Sequence, residues 1–300
     1  MLNITDLTVS SEFINQVHAE KTVELVVPRN TAINGYLLLR SALNPKHTAL
    51  VQYLGKNVCR RISSNSDLNV QGISPKDSHQ CALVDSLIND SISCNIAIGT
   101  AGTGKTTLAM AYAINRFMQE RKSIVLSKPT AMVGLGNAFG PVPGDIGEKY
   151  APYLASYEIV LKKVLGDNHK TFFKRDNDLQ FVPIELSRGC TYENCTFILD
   201  EAQNLTWHEL NTIVSRMGEG TNMVILGDLN QIDVSMKKTE TGLWKFINSA
   251  PFQESPITSA IQLQTQYRSP ITKLVADVND WIIANERRND TAGDLESSVR

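Results

Sequence analysis

Long apolar runs are missing from this chain, and so is a surplus of charge of either sign. The uninterrupted apolar stretches are a few residues long, against the roughly 20 that cross a bilayer, so no membrane partner is expected. Lysine and arginine number 29 and aspartate and glutamate 31, a formal net charge of −2. No global positive field therefore advertises nucleic acid, and any such partner must be met by local patches. Cysteine is sparse: Cys59, Cys81, Cys94, Cys190 and Cys195 form an odd set without a CxxC. Cys190 and Cys195, five apart, fit neither a zinc pair nor a redox pair, and the set reads as reduced, mostly packed thiols. Five scattered histidines without HExxH argue against a histidine-built metal centre. The opening MLNITDLTVSSEF lacks a basic stretch followed by an apolar one, so a soluble, cytoplasmic protein is expected.

What is present is a regular alternation. From residue 94 onward, short apolar strands (CNIAI, SIVLS, FVPIE, TFILD, NMVILGD, AIQLQ) alternate with helical stretches (KTTLAMAYAINRFM, EKYAPYLASYEIVLKKVL, TWHELNTIVSRM, TGLWKFINS). Continuous apolar strands separated by helices predict a mostly parallel sheet covered on both faces, the doubly wound α/β class. Residues 1–70 differ. TVELVVP, a helical TAINGYLLLRSAL, TALVQYLG and NVCRRIS predict a small α+β appendage of two or three strands and a helix, joined through the polar 63–72 stretch. The division expected is thus 1–70 for the appendage and 71–300 for the α/β domain.

One segment carries most of the chemistry. GTAGTGKT, Gly99 to Thr106, matches G-x-x-x-x-G-K-[ST] and lies between an apolar strand and a helix. Chemistry demands that order: glycines let the backbone wrap an anion, and the helix adds its positive N-terminal end. Gly99, Thr100, Ala101, Gly102, Thr103, Gly104, Lys105, Thr106 and Thr107 are the expected phosphate cradle. Lys105 reaches the β- and γ-phosphates and Thr106 holds Mg²⁺. The fold class sharpens to a P-loop NTPase core of RecA-like type.

Such a site needs a second magnesium anchor at the end of a neighbouring strand, and TFILDE supplies Asp200. Glu201, one residue on, is placed to orient and deprotonate an attacking water. After the next strand, GDLNQ offers Gln231 as a γ-phosphate sensor, and Asp228 as either a site acid or a turn cap. Gln80, about one helix before the P-loop, is either a base contact or an ordinary surface glutamine. Arg268, in LQTQYRSP, and Arg188, opening RGCTYENCTFILDEAQN, are two candidates for the arginine that meets charge on a transferred phosphoryl group. Trp207, Trp244 and Trp281 fall in amphipathic helices, where core packing is expected ahead of base stacking. The pairs Lys174–Arg175, Arg60–Arg61 and Lys162–Lys163 read as solvated faces.

Taken in order, GTAGTGKT, KPT at Lys128, PGDIGEKYAPYL at Pro143, RGCTYENCTFILDEAQN, GDLNQID, TGL at Thr241 and YRSPITKLV resemble the PhoH family of P-loop ATPases, relatives of superfamily 1 helicases. The resemblance runs over residues 72–282. It implies ATP with Mg²⁺, an adenine contact from Gln80, and arginine roles for Arg188 and Arg268. It further implies a ring-shaped homo-oligomer with RNA helicase-like activity, and a phage or bacterial source suits it. The stretch after KPT, AMVGLGNAFGPVPGD, lacks the acidic pattern typical of the family, which bears on substrate preference.

Two functions follow as expectations. A single P-loop and a single acid pair leave no length for a second motor lobe, so a motor needs a neighbouring subunit in a head-to-tail ring, expected to be a hexamer, acting on RNA or single-stranded DNA. The alternative is an ATP-dependent regulatory switch that binds a protein partner through residues 1–70. A GTPase is not expected, since no N-K-x-D segment follows the acid strand.

Overall fold

The computed structural model describes residues 4–63, 67–129, 157–173, 177–184, 187, 189–232 and 236–267, with 274 and 278. Arg188, Arg268, Trp281 and the Lys174–Arg175 pair lie outside these residues.

The N-terminal part is a five-stranded sheet. Strands β1 (Thr5–Val9), β2 (Thr22–Glu24), β3 (Tyr36–Ser41), β4 (Thr48–Gly55) and β5 (Val58–Arg61) are ordered β1-β3-β4-β5-β2, with helix α1 (Ser11–Ala19) between the first two. Ile14 and Val17 of α1 pack on Leu37, Leu39 and Val51 of the sheet. The expectation of two or three strands falls short, and the helix expected over TAINGYLLLRSAL is corrected: Tyr36–Ser41 is a strand. Leucine suits helices intrinsically, but this run is central in the sheet, paired in parallel with β1 and antiparallel with β4. Burial there outweighs a propensity worth a fraction of a kcal/mol per residue.

The larger part opens with α2 (Ser78–Ile88), capped by the Asp77 side chain on the Gln80 amide. Then follow β6 (Cys94–Ile98), α3 (Lys105–Glu120), β7 (Ser123–Ser127), a helix α4 over residues 157–165, and the short α5 (His169–Phe172). Strands β8 (Leu179–Phe181), β9 (Cys195–Leu199), β10 (Asn222–Gly227) and β11 (Thr258–Gln262) complete the sheet. Helices α6 (Trp207–Val214), α7 (Gly242–Ile247) and α8 (Ala250–Gln253) fill the crossovers. The order β11-β6-β10-β9-β7-β8 is parallel throughout. Every residue of β9 and β10 is buried, as continuous apolar strands between two helical layers must be. Ile198, Val224 and Leu226 face Leu83 and Ile114 of α2 and α3, while Phe197, Leu199 and Ile225 face Leu210, Leu243 and Ile247 of α6 and α7. Strands β8 and β11 begin about two residues earlier than the pattern FVPIE and AIQLQ indicated, because Pro183 has no ladder donor and Thr258 already pairs with Cys94.

The two parts share a seam. Asp85 of α2 is buried and accepts hydrogen bonds from the Tyr36 hydroxyl (2.9 Å) and from Arg60 (2.6 Å). Arg60 also reaches Gln52, which donates to Asn34, and Asn34 in turn donates to the backbone at Pro256 and Thr258. Ile62, Leu68 and Val70 join the same apolar cluster as α2 and α3. Strand order places the ends of β6, β9 and β10 side by side, with β10 between the other two, and their outgoing loops meet in one crevice.

Candidate nucleotide site

The glycine-rich loop leaves β6 as a cradle held from several sides. Gly102 and Gly104 adopt left-handed backbone (φ 87° and 94°), which only glycine takes without strain. A Cβ on Gly99 would stand 2.6 Å from the Leu263 carbonyl, so the end of β11 presses on the loop directly. Its carbonyls are bound outward. Gly102 accepts from the Tyr267 amide (3.0 Å), Thr103 from the Gln80 side chain (2.9 Å), and Thr100 from the Thr103 hydroxyl (2.9 Å). Lys105 Nζ donates to the carbonyl of Gly99 and, at 3.1 Å, to that of Thr100. With carbonyls turned away and the first amides of α3, at Lys105, Thr106 and Thr107, lacking acceptors within their helix, the positive side of the peptide dipoles faces the crevice.

That crevice is a cavity of about 540 Å³, of nucleotide size. Ala101, Gly102, Gly104, Lys105, Thr106 and Thr107 line it from the loop, and Asp200, Glu201, Asp228 and Gln231 from the ends of β9 and β10. Gln80 also lines it. Gly99, Thr100 and Thr103 stand behind the lining as its support. Four lysines, Lys76, Lys105, Lys128 and Lys163, border the same space, a cationic set suited to a polyphosphate. Lys163, of a pair read as a solvated face, is exposed as expected and also borders the cavity.

The two adjacent acids are held separately. Asp200 accepts the Glu201 amide on Oδ1 and the Tyr157 hydroxyl on Oδ2, both at 3.0 Å. Burial, followed by the charge of Glu201, raises its pKa above the usual carboxylate value, with Lys128 and the Tyr157 hydrogen bond opposing. Glu201 sits in left-handed backbone at φ 55°, a costly conformation for a side chain of this size, and this turns its carboxylate into the cavity beside Asp200. Its Oε2 accepts Gln203 Nε2 at 2.7 Å, and Lys128 Nζ stands 3.7 Å from Oε1. Gln203, fully buried, also donates to the Gln231 carbonyl (3.0 Å) and accepts the Asp228 amide (2.9 Å). One glutamine thereby ties the acid pair to the loop after β10. Nothing in D-E-A-Q-N marks it, since its partners are 25 and 28 residues away in the chain.

Asp228 caps a turn and lines the cavity: Oδ1 accepts the Asn230 amide at 3.0 Å, while Oδ2 is buried without a hydrogen-bond partner among the described residues. Burial raises its pKa; the Asn230 amide and Lys105 pull the other way. Gln80 is no surface residue: it is 5% exposed, its Oε1 accepts the Lys76 amide and its Nε2 binds the P-loop. Tyr267, singled out only as the start of YRSP, lines the cavity with Lys76 Nζ 4.6 Å from its ring centroid, and its hydroxyl donates to Asp77 at 2.6 Å. Burial and that aspartate push its pKa up to about 12, so it stays a neutral aromatic face.

A small hard cation fits the residues present. Mg²⁺ takes one or two protein oxygens and fills its shell with phosphate and water, and Asp200 and Thr106 offer a carboxylate and a hydroxyl to one cavity. Among the described residues no group of three or more His, Cys, Asp or Glu could hold a metal ion. No helix among the described residues is long and apolar enough to cross a membrane.

A parallel sheet in this order, with a glycine-rich cradle after one inner strand and an acid pair after another, defines a P-loop nucleotide-binding domain. The chain belongs to the PhoH family: the family model for PhoH-like protein matches residues 72–280. It is 38% identical over 147 residues to a PhoH-like protein of Bacillus subtilis, covering 49% of this chain and 45% of that protein. Protein PhoH2 of the same organism is 27% identical over 283 residues, 91% of this chain and 63% of that one, an extent that takes in residues of the N-terminal sheet. The chain thus spans about half to under two thirds of the length of these relatives. Among solved structures, Pif1 helicase from Bacteroides in complex with ADP-AlF3 and ssDNA matches with a TM-score of 0.36 at 17% identity, over 69% of this chain and 46% of that one.

Proposed function

We propose that the protein hydrolyses ATP with Mg²⁺ and couples turnover to single-stranded RNA or DNA in a head-to-tail homo-oligomeric ring. The observation that carries the hydrolytic part is one cavity that unites a phosphate cradle, four lysines, Asp200 and Glu201. Loop amides and Lys105 bind the phosphates, Thr106 and Asp200 hold the metal, and the face of Tyr267 stacks the base. Mg²⁺, when bound, neutralises charge on the β- and γ-phosphate oxygens. Glu201 takes the proton of the attacking water. Gln203 keeps that carboxylate turned toward the γ-phosphate and fixes the backbone of Gln231, whose side chain meets the same phosphate. Arg188 or Arg268 is the transition-state arginine, from the same subunit or its neighbour.

The nucleic-acid part rests on an aromatic and basic surface directly beyond the acid pair and the Gln231 loop. Trp207 is 43% exposed, which corrects its expected place in the core. Its ring lies 5.8 Å from that of Phe246. Trp244 is half-buried with Lys238 Nζ 5.0 Å from its ring centroid, and Lys237 and Lys245 are exposed nearby. Stacking faces edged with lysine suit single strands. The switch reading retains the low net charge of −2 in its favour. ATPase activity of material of known oligomeric state, with and without single-stranded RNA and DNA, separates the two. Several-fold stimulation that fades with salt is expected, absent stimulation favours the switch, and Glu201→Gln should bind ATP but lose turnover about 10²-fold or more. Undiminished hydrolysis in that variant would remove Glu201 as the base.

A further inference from the structure

We infer that Tyr157 is a positioning residue for the metal site, fixing the Asp200 carboxylate in the orientation that receives Mg²⁺. This rests on the reading of Asp200 as the metal anchor. Tyr157 is 1% exposed and lies in α4, the helix whose Ile159, Val160 and Lys163 form one wall of the nucleotide cavity. Its hydroxyl donates to Asp200 Oδ2 at 3.0 Å, while the Glu201 amide holds Oδ1.

Geometry explains why a tyrosine is needed. The two oxygens of a carboxylate turn together about its last bond, and a single hydrogen bond restrains that turn only loosely. The second donor, on Oδ2, narrows it against the pull of Lys128, the cation that pairs with Glu201. With both oxygens pinned, each keeps a second lone pair, and the pair aimed into the cavity is fixed before the cation arrives. Such outer partners typically change metal affinity by about 10- to 100-fold when removed. They do so without touching the nucleotide, because Tyr157 itself does not line the cavity.

Tyr157→Phe keeps the ring and its packing and removes only the donor. Affinity for a fluorescent ATP analogue is measured across a Mg²⁺ titration and in EDTA, for the full chain, Tyr157→Phe, Asp200→Asn and the double variant. Tyr157→Phe is expected to raise the Mg²⁺ concentration at half-effect about tenfold, with affinity in EDTA unchanged and kcat recovered at saturating Mg²⁺. The double variant is expected to match Asp200→Asn alone, since the tyrosine acts only through that carboxylate. A Mg²⁺ half-point unmoved in Tyr157→Phe but shifted in Asp200→Asn overturns the role of Tyr157 and leaves the metal anchor standing. Additive shifts in the double variant do the same. A half-point unmoved in Asp200→Asn overturns the anchor reading and the inference with it.

Discussion

Asp228 carries a cost in the fold. Its Oδ2 is buried without a hydrogen-bond partner among the described residues, and burial raises its pKa. For a carboxyl whose folded pKa lies above its unfolded value, the unfolded chain gives up its proton first as pH rises. Stability is therefore full below the unfolded pKa and is lost as pH climbs through the folded one. Asp228→Asn is expected to raise the melting temperature at pH 7, by about 2–4 °C for each kcal/mol relieved in a chain of this size. The gain should shrink toward zero once both states of the wild type are protonated in acid. Melts at neutral and acid pH check both halves, and an ATPase assay should show lower turnover in the same variant, the usual exchange of stability for function at a site. At this scale the sequence was informative about identity and poor about partners. Lys105, Thr106, Asp200 and Glu201 follow from spacing alone. Tyr157, Lys128 and Gln203 do not, because what qualifies them is a hydrogen bond or ion pair to residues tens of positions away.

Helices α6 and α7 couple the site to its surroundings. Thr206 and Glu209 form a capping box that starts α6 immediately after the acid-pair loop. The Gly242 amide donates to the Leu205 carbonyl at 2.7 Å, and a Cβ on Gly242 would stand 2.5 Å from the Thr206 carbonyl. The loops after β9 and β10 are thus zipped together, and they carry Trp207 and Lys238 outward on adjoining turns. Among the described residues Trp207 does not line the cavity, and its ring lies beside that of Phe246. Trp207→Ala is accordingly expected to weaken single-stranded RNA or DNA binding about tenfold, the value of one stacked base, while basal ATPase stays unchanged. Fluorescence anisotropy with a labelled oligonucleotide, run beside the ATPase assay, gives both readings. An unchanged affinity would move the nucleic-acid surface elsewhere. Amphipathic spacing gave no warning here: the same tryptophan pattern serves a core or an exposed edge, and only the packing of α6 on α7 decides which.

Over the whole molecule, the N-terminal sheet is tied to the nucleotide-binding part through an ion pair buried on its aspartate side. Asp85 is 5% exposed and pairs with Arg60 at 2.6 Å. Without Arg60 the Asp85 carboxylate keeps the Tyr36 hydroxyl as a donor, and the arginine is about one-third exposed, so the loss costs about 1–3 kcal/mol, less than for a fully buried pair. Arg60→Ala is expected to destabilise by that order in a single cooperative transition, since α2, which carries Gln80 to the P-loop, also carries Asp85. Two separate melting transitions would mean the sheet folds independently. The ring proposal makes its own prediction at this scale. If the arginine acts across a subunit boundary, inactive Arg268→Ala and inactive Lys105→Ala subunits should regain activity when mixed, each lending what the other lacks. No recovery at any ratio assigns the arginine to its own subunit.

The sequence by itself determined the nucleotide chemistry. A cradle of glycines, a lysine and a hydroxyl are neighbours in the chain, and the acid pair comes from a continuous apolar strand that can lie only inside a parallel sheet. Tertiary structure alone decided how that chemistry is held. Strand order sets β10 between β6 and β9, so Gln203 can span from Glu201 to Gln231, and α4 folds over β9 so that Tyr157 reaches Asp200. It also made Tyr36–Ser41 a strand by burying it between β1 and β4. Local spacing records what each segment can do, while hydrogen bonds and burial across the sheet record which of those capacities is used.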